Sequence, residues 1–177
     1  MSLLDRFKDC ESPDMRSFRP WRIDGAVMGC LQLEVMERLR RFPSVFSVRP
    51  DGADLKDHLR SFDQRSLALN EIAKAFAEEG WIKGWRNESF PVRDSYTSPP
   101  VAKLERAAVP LFGIQAWGVH MNGYVREGER TRLWVGRRAL DRPIEPGKLD
   151  HLVAGGLALD MNPEETLRKE AEEEADI

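Results

Sequence analysis

Glu170, Glu173 and Glu174 stand at spacings of three and four residues, so on a helix their carboxylates share one face. Three like charges on one face repel, each exposed pair at the cost of about a few tenths of a kcal/mol. A hard cation such as Mg²⁺ or Mn²⁺ prefers carboxylate oxygens and would reverse that repulsion. The helix itself is well specified: Asn162 can cap it, Pro163 suits the first helical position, and Glu165 at the third completes a capping-box pattern. Leu167 and Ala171 lie on a neighbouring face, available for packing. Upstream, Ala154-Gly155-Gly156 ends an apolar stretch, and a glycine pair lets backbone groups approach a ligand closely. A strand, a glycine turn and an acidic helix would gather backbone and carboxylates around one point. The plainer alternative is a solvated acidic helix end.

Other residues could take part. Arg137 and Arg138 follow a strand candidate, and a guanidinium suits phosphate oxygens. Neighbours in a strand face opposite sides, so at most one would reach a site. His151 and Asp150 flank the glycine turn, as a base or, more plainly, in a structural hydrogen bond; His58 and His120 show no partner. Trp81 and Trp85 could form an aromatic platform, with packing as the plainer reading, as it is for Trp117 and Trp134. Cys30 reads as a small core residue.

The elements that must position these residues follow from periodicity and punctuation. Residues 1 to 17 are polar and irregular, expected to pack loosely. Trp21 to Leu31 reads as a strand with a turn or bulge at Gly25 and Gly29. A helix is predicted over Leu33 to Phe42, stopped by Pro43, then a short strand over Val45 to Val48. A strong helix puts Leu69, Ile72, Ala73 and Phe76 on one face, with Gly80 as its stop. Trp81 to Val92 contains a strand and Ser95 to Pro100 is turn-rich. Leu111 to Val125 predicts a long strand, and Arg132 to Arg138 its hairpin partner. Asp141 to Lys148, with Pro143, Pro146 and Gly147, is a loop; Leu149 to Leu159 reads as a buried strand. The expected fold class is α/β (α+β): an N-terminal α/β domain over residues 18–108, then a mixed-sheet domain over 109–177.

Composition sets the bounds. Hydrophobic residues at 41% and charged residues at 32% describe a globular chain. No apolar run approaches the ~20 residues of a spanning helix, and no secretory signal is expected. Cys10 and Cys30 cannot build a disulfide framework or a four-ligand zinc site alone, and a cytoplasmic location is expected. Residues 163–177 hold seven acids against Arg168 and Lys169, a net of −5 in a chain of net −3. Such a block binds cations or is solvated, and gives no reason to expect nucleic acid.

The glycine pair, the Asn162-Pro163-Glu164-Glu165 start and the Lys169-Glu170-Ala171-Glu172-Glu173-Glu174 run resemble the Nudix box of Mg²⁺-dependent diphosphate hydrolases. The resemblance implies that Glu170, Glu173 and Glu174 are catalytic metal ligands, with a Gly155 carbonyl assisting and Mg²⁺ (or Mn²⁺) as cofactor. It implies a small-molecule diphosphate as substrate, with Arg137, Arg138 and Lys169 as candidate binding residues. Gly136-Arg137-Arg138 and the run Pro146 to Gly156 are similar to the Nudix branch related to thiamine pyrophosphokinase, which carries an extra N-terminal α/β domain. Thiamine diphosphate or a damaged analogue is then the expected substrate.

Departures are Lys169 where the box usually has arginine, Met161 near its first glutamate, a loop about one residue short, and Asp176 for the closing glycine. They leave open a non-catalytic ligand sensor, or an interaction module with an acidic tail. The box reaches Ile177, so the Nudix domain is expected to be incomplete at this point, with further chain to follow. No membrane partner is expected, and a homodimer is left open.

Overall fold

The computed structural model describes residues 14–141 and 145–177. The expectations for Cys10, for residues 1–13 and for Pro143 lie outside them. Among the described residues are four α-helices, two short 3-10 helices and twelve strands in several small sheets, a mixed α and β architecture. Contacts divide the chain into two compact units, one ending at Gln115 and the other beginning at Ala116.

In the first unit β1 (Phe18–Ile23) and β2 (Ala26–Gln32) form a hairpin closed by Asp24 and Gly25, both at positive φ. Asp24 is held in place by Arg65, 2.6 Å away, whose Nε also donates to the Leu59 carbonyl. After α1 (Leu33–Leu39) come β3 (Phe46–Arg49) and β4 (Gly52–Leu55), giving a sheet of order β2-β1-β4-β3 in which β1 and β4 run parallel. The predicted long helix is α2 (Phe62–Glu78), opened by a complete Ser61/Gln64 capping box. It buries Leu69, Ile72, Ala73 and Phe76, as its period requires. Next come β5 (Ser89–Val92), β6 (Ala102–Glu105) and the short α3 (Val109–Phe112).

The core centres on Trp21, which is fully buried and meets Phe46 and Phe112 edge to face. Its indole N–H donates to the Phe112 carbonyl at 2.8 Å. Gly29 is required there, because a Cβ would fall 2.6 Å from both that carbonyl oxygen and the indole nitrogen. The expected strand from Leu111 is thereby corrected. Pro110 favours a helical start, Gly113 ends α3 in the left-handed region, and Ile114 bridges to Gly29. Trp81 and Trp85 both pack against this core, and the Arg38 guanidinium lies 4.1 Å over the Trp81 ring.

In the second unit β7 (Gly118–Met121), β8 (Tyr124–Glu127) and β9 (Arg130–Leu133) replace the long strand and its partner, followed by β10 (Gly136–Arg137), β11 (Leu149–Asp150) and β12 (Val153–Gly156). β7 pairs with β12, β8 with β9 and β10 with β11, all antiparallel. The final helix α4 (Pro163–Ala175) opens with the predicted Asn162/Glu165 capping box and Pro163 in its first turn. The buried residues of this unit are few: Val153, Leu157, and Thr166 and Ala171 of α4 itself. The stretch Leu149 to Leu159 is not one buried strand, since Leu149 is 70% exposed and residues 151–152 interrupt the pairing.

Candidate metal centre

β12 and α4 bring the glycine pair against the acidic helix, and the pair continues the strand where a glycine turn was expected. Gly155 pairs with Val119 and Gly156 with Gly118 across the β7–β12 ladder. The ladder is prolonged by the Leu157 amide, which donates to the Trp117 carbonyl at 2.8 Å. Glycine at 155 is a packing requirement: a Cβ there would lie 2.3 Å from Glu170 Cγ and 2.5 Å from its Cδ. Gly118 serves a similar end, for its Cβ would come 2.8 Å from the Gly155 carbonyl oxygen.

Each glutamate has its own setting. Glu170 is mostly buried, its side chain 16% exposed. One turn further on, Glu174 Oε2 accepts the Ala154 amide at 3.1 Å. Glu173 projects outward, 58% exposed. Lys169 answers their charge, with Nζ 3.9 Å from Glu170 Oε1 and 3.8 Å from Glu173 Oε1. At that range the ammonium offsets part of the repulsion among the three carboxylates. Among the described residues no group of three or more His, Cys, Asp or Glu is gathered closely enough to hold an ion. The residues fit a hard divalent cation in kind, since Glu170 lies in a cradle that a Cβ would fill and every side-chain donor is a carboxylate oxygen. Holding an ion requires Glu173 to turn inward and Lys169 to yield its place.

Arg137 and Arg138 part company, as neighbours on a strand should. Arg138 Nη1 donates to Asp150 Oδ2 at 2.6 Å across the β10–β11 pair, whereas Arg137 is exposed. The Arg138 guanidinium, with the His151 amide on the other oxygen, holds the Asp150 carboxyl below the usual carboxylate range.

One pairing escaped the sequence. His120 and His151 meet edge to face with their Nδ1 atoms 3.0 Å apart, so one ring donates and the other accepts. The residues lie 31 apart in the chain, and only the β7–β12 register, which sets His120 opposite Ala154, brings them together.

Residues 2–116 match a family described as a domain of unknown function, DUF4743. The chain is 39% identical over 175 residues to a protein named Nudix hydrolase 20, chloroplastic, of Arabidopsis thaliana, covering 94% of this chain and 47% of that protein. It is 38% identical over 162 residues to Nudix hydrolase 24, chloroplastic, of the same plant, covering 90% and 44%. An uncharacterized protein of Saccharomyces cerevisiae is 32% identical over 141 residues, covering 77% and 41%. The chain therefore spans a little under half the length of the curated relatives it matches.

Proposed function

Because the chain belongs to the DUF4743 family, a Nudix-related one, we propose that it takes part in Mg²⁺-dependent hydrolysis of a diphosphate bond in a small molecule. The observation that carries this reading is Glu170 seated on Gly155, with Glu174 hydrogen-bonded to the Ala154 amide. These contacts tie the acidic helix to the glycine pair of β12 and set the direction of two carboxylates. Glu170, Glu173 and Glu174 would hold the ion, with the Gly155 carbonyl beside them. A bound Mg²⁺ supplies charge neutralisation at the diphosphate and a more acidic water. The chain's own work is to hold the carboxylates in register; Lys169, released from its two glutamates, and Arg137 are its candidate phosphate contacts. Arg138 stays with Asp150.

The substrate proposed is thiamine diphosphate or a damaged analogue, on the likeness of Gly136-Arg137-Arg138 and Pro146 to Gly156 to the branch related to thiamine pyrophosphokinase. The test is turnover of a diphosphate panel with Mg²⁺, led by thiamine diphosphate, for the parent and Glu173→Gln. Among the described residues Glu173 makes no backbone contact of the kind that Glu174 makes, so the variant should fold as the parent does. Its activity should fall by about two orders of magnitude or more, the order seen when a transition-state charge contact is lost; equal turnover would remove Glu173 from the site.

A second reading, a ligand sensor without turnover, draws on the position of Lys169 between Glu170 and Glu173. Calorimetry separates the two: a sensor gives a saturable heat with the ligand recovered intact, an enzyme a continuing heat with the ligand consumed.

A further inference from the structure

Within the first unit, α2 and β6 border an open groove of about 400 Å³ that owes nothing to the metal centre. Ser66 and Asn70 of α2 seal the edge of β6, taking the Lys103 and Glu105 amides and giving an N–H to the Lys103 carbonyl. The groove is therefore lined by side chains rather than by free strand edge.

Glu105 lies in its wall and is only 5% exposed. Its Oε1 accepts the amides of Arg86 at 2.9 Å and Ala107 at 3.2 Å. Its Oε2 has no hydrogen-bond or ion-pair partner among the described residues and keeps contact with solvent, so it is an accessible acceptor in the groove wall. Trp85 lines the same groove, half-buried, its orientation fixed by an indole N–H to Asn87 Oδ1 at 3.0 Å. Lys74 and Lys103 line it too, and neither has a carboxylate within ion-pair distance among the described residues. Leu67 stands at the groove 64% exposed.

We propose that this groove binds an amino-substituted heteroaromatic small molecule that carries an anionic group. A carboxylate oxygen that only accepts selects an N–H donor. The fixed indole offers a flat apolar surface for a ring, and the two ammonium groups attract a phosphate or carboxylate. A few convergent polar groups around an apolar surface are the usual make-up of a small-molecule site. The assignment stands whether or not the acidic helix of the second unit is catalytic.

The experiment is calorimetry and amide NMR of the whole chain with adenosine monophosphate. Adenosine lacks the anion, purine riboside monophosphate lacks the amino group, and inorganic phosphate lacks the ring. Adenosine monophosphate should bind and shift the Trp85 indole signal, with each of the others weaker by about tenfold, one polar contact's worth. The double variant Lys74→Met/Lys103→Met should abolish the preference for adenosine monophosphate over adenosine. Glu105→Gln keeps one acceptor for the two amides but turns a donor toward the groove, so it should abolish or invert the preference for the amino group. If Glu105→Gln does not fold, the ligand comparison on the parent and the lysine variant decide alone. No binding at millimolar adenosine monophosphate, equal binding of all the compounds, or unchanged preferences in the folded variants would overturn the proposal.

Discussion

Gly155 and Glu170 form the tightest pairing in the candidate centre, and the absent Cβ is what makes it. Gly155→Ala would place a carbon 2.3 Å from Glu170 Cγ, too near the start of that side chain for its tip to move aside alone. Stability should fall by about 1–3 kcal/mol, the usual cost of overpacking, and Glu170 should leave its place. A denaturant midpoint equal to the parent's would show that the cradle is loose. At Asp150 the argument concerns protons. Its folded carboxyl is held below the usual range first by Arg138, then by the His151 amide, so between the two values the unfolded chain binds more protons. The pair's contribution is present above the ordinary carboxylate range and lost as pH falls through the depressed folded value. Arg138→Met should move the Asp150 titration, followed by carbon-13 NMR, back toward the ordinary value and flatten the acid limb of stability. An unmoved titration would mean that the pair does not persist in solution.

For the elements, α4 was the most legible. Asn162, Pro163 and Glu165 name a helix start through local hydrogen bonds alone, and the structure closes both halves of that box: Glu165 donates its amide to Asn162 at 2.9 Å and accepts the Asn162 amide at 3.2 Å. Asn162→Ala should cost about 1 kcal/mol, read from thermal denaturation followed by helical circular dichroism. A loss of less than a few tenths would mean that packing on β12 and β7 sets the helix start instead. The segment 111–125 departs from its sequence pattern for the opposite reason. Its apolar run suits a strand by composition, yet Pro110 and Gly113 bend it into α3 and the Trp21 core takes Phe112. The period of α2 suffices because one face buries Leu69, Ile72, Ala73 and Phe76. The strands of the second unit are two to four residues long, too short for an alternating pattern to stand out.

For the whole molecule, the two units differ in how much they bury. Trp21, Leu31, Leu39, Leu69, Phe76 and Phe112 form one contiguous core in the first unit, whereas every residue of β8 and β9 is exposed. Local opening should follow that difference. Native-state hydrogen exchange should show slow amides along β1 and through α2, and fast ones in β8 and β9. Equal protection across both units would contradict it. No helix among the described residues is long and apolar enough to cross a membrane.

Taken alone, the sequence determined what depends on short spacing: the capped acidic helix and the buried stripe of α2. Helical period and capping are set by residues three or four apart, so one chain suffices to read them. The tertiary structure alone decided what depends on strand register. It placed Gly155 under Glu170, the Ala154 amide on Glu174, His120 against His151, and Arg138 on Asp150 rather than beside Arg137 in a shared site. It also left Glu105 with one oxygen facing a groove, although its two amide partners lie 19 and 2 residues away. Which strands pair, and in which register, depends on the burial of whole faces against one another, and that information is spread over the chain rather than written at any one position.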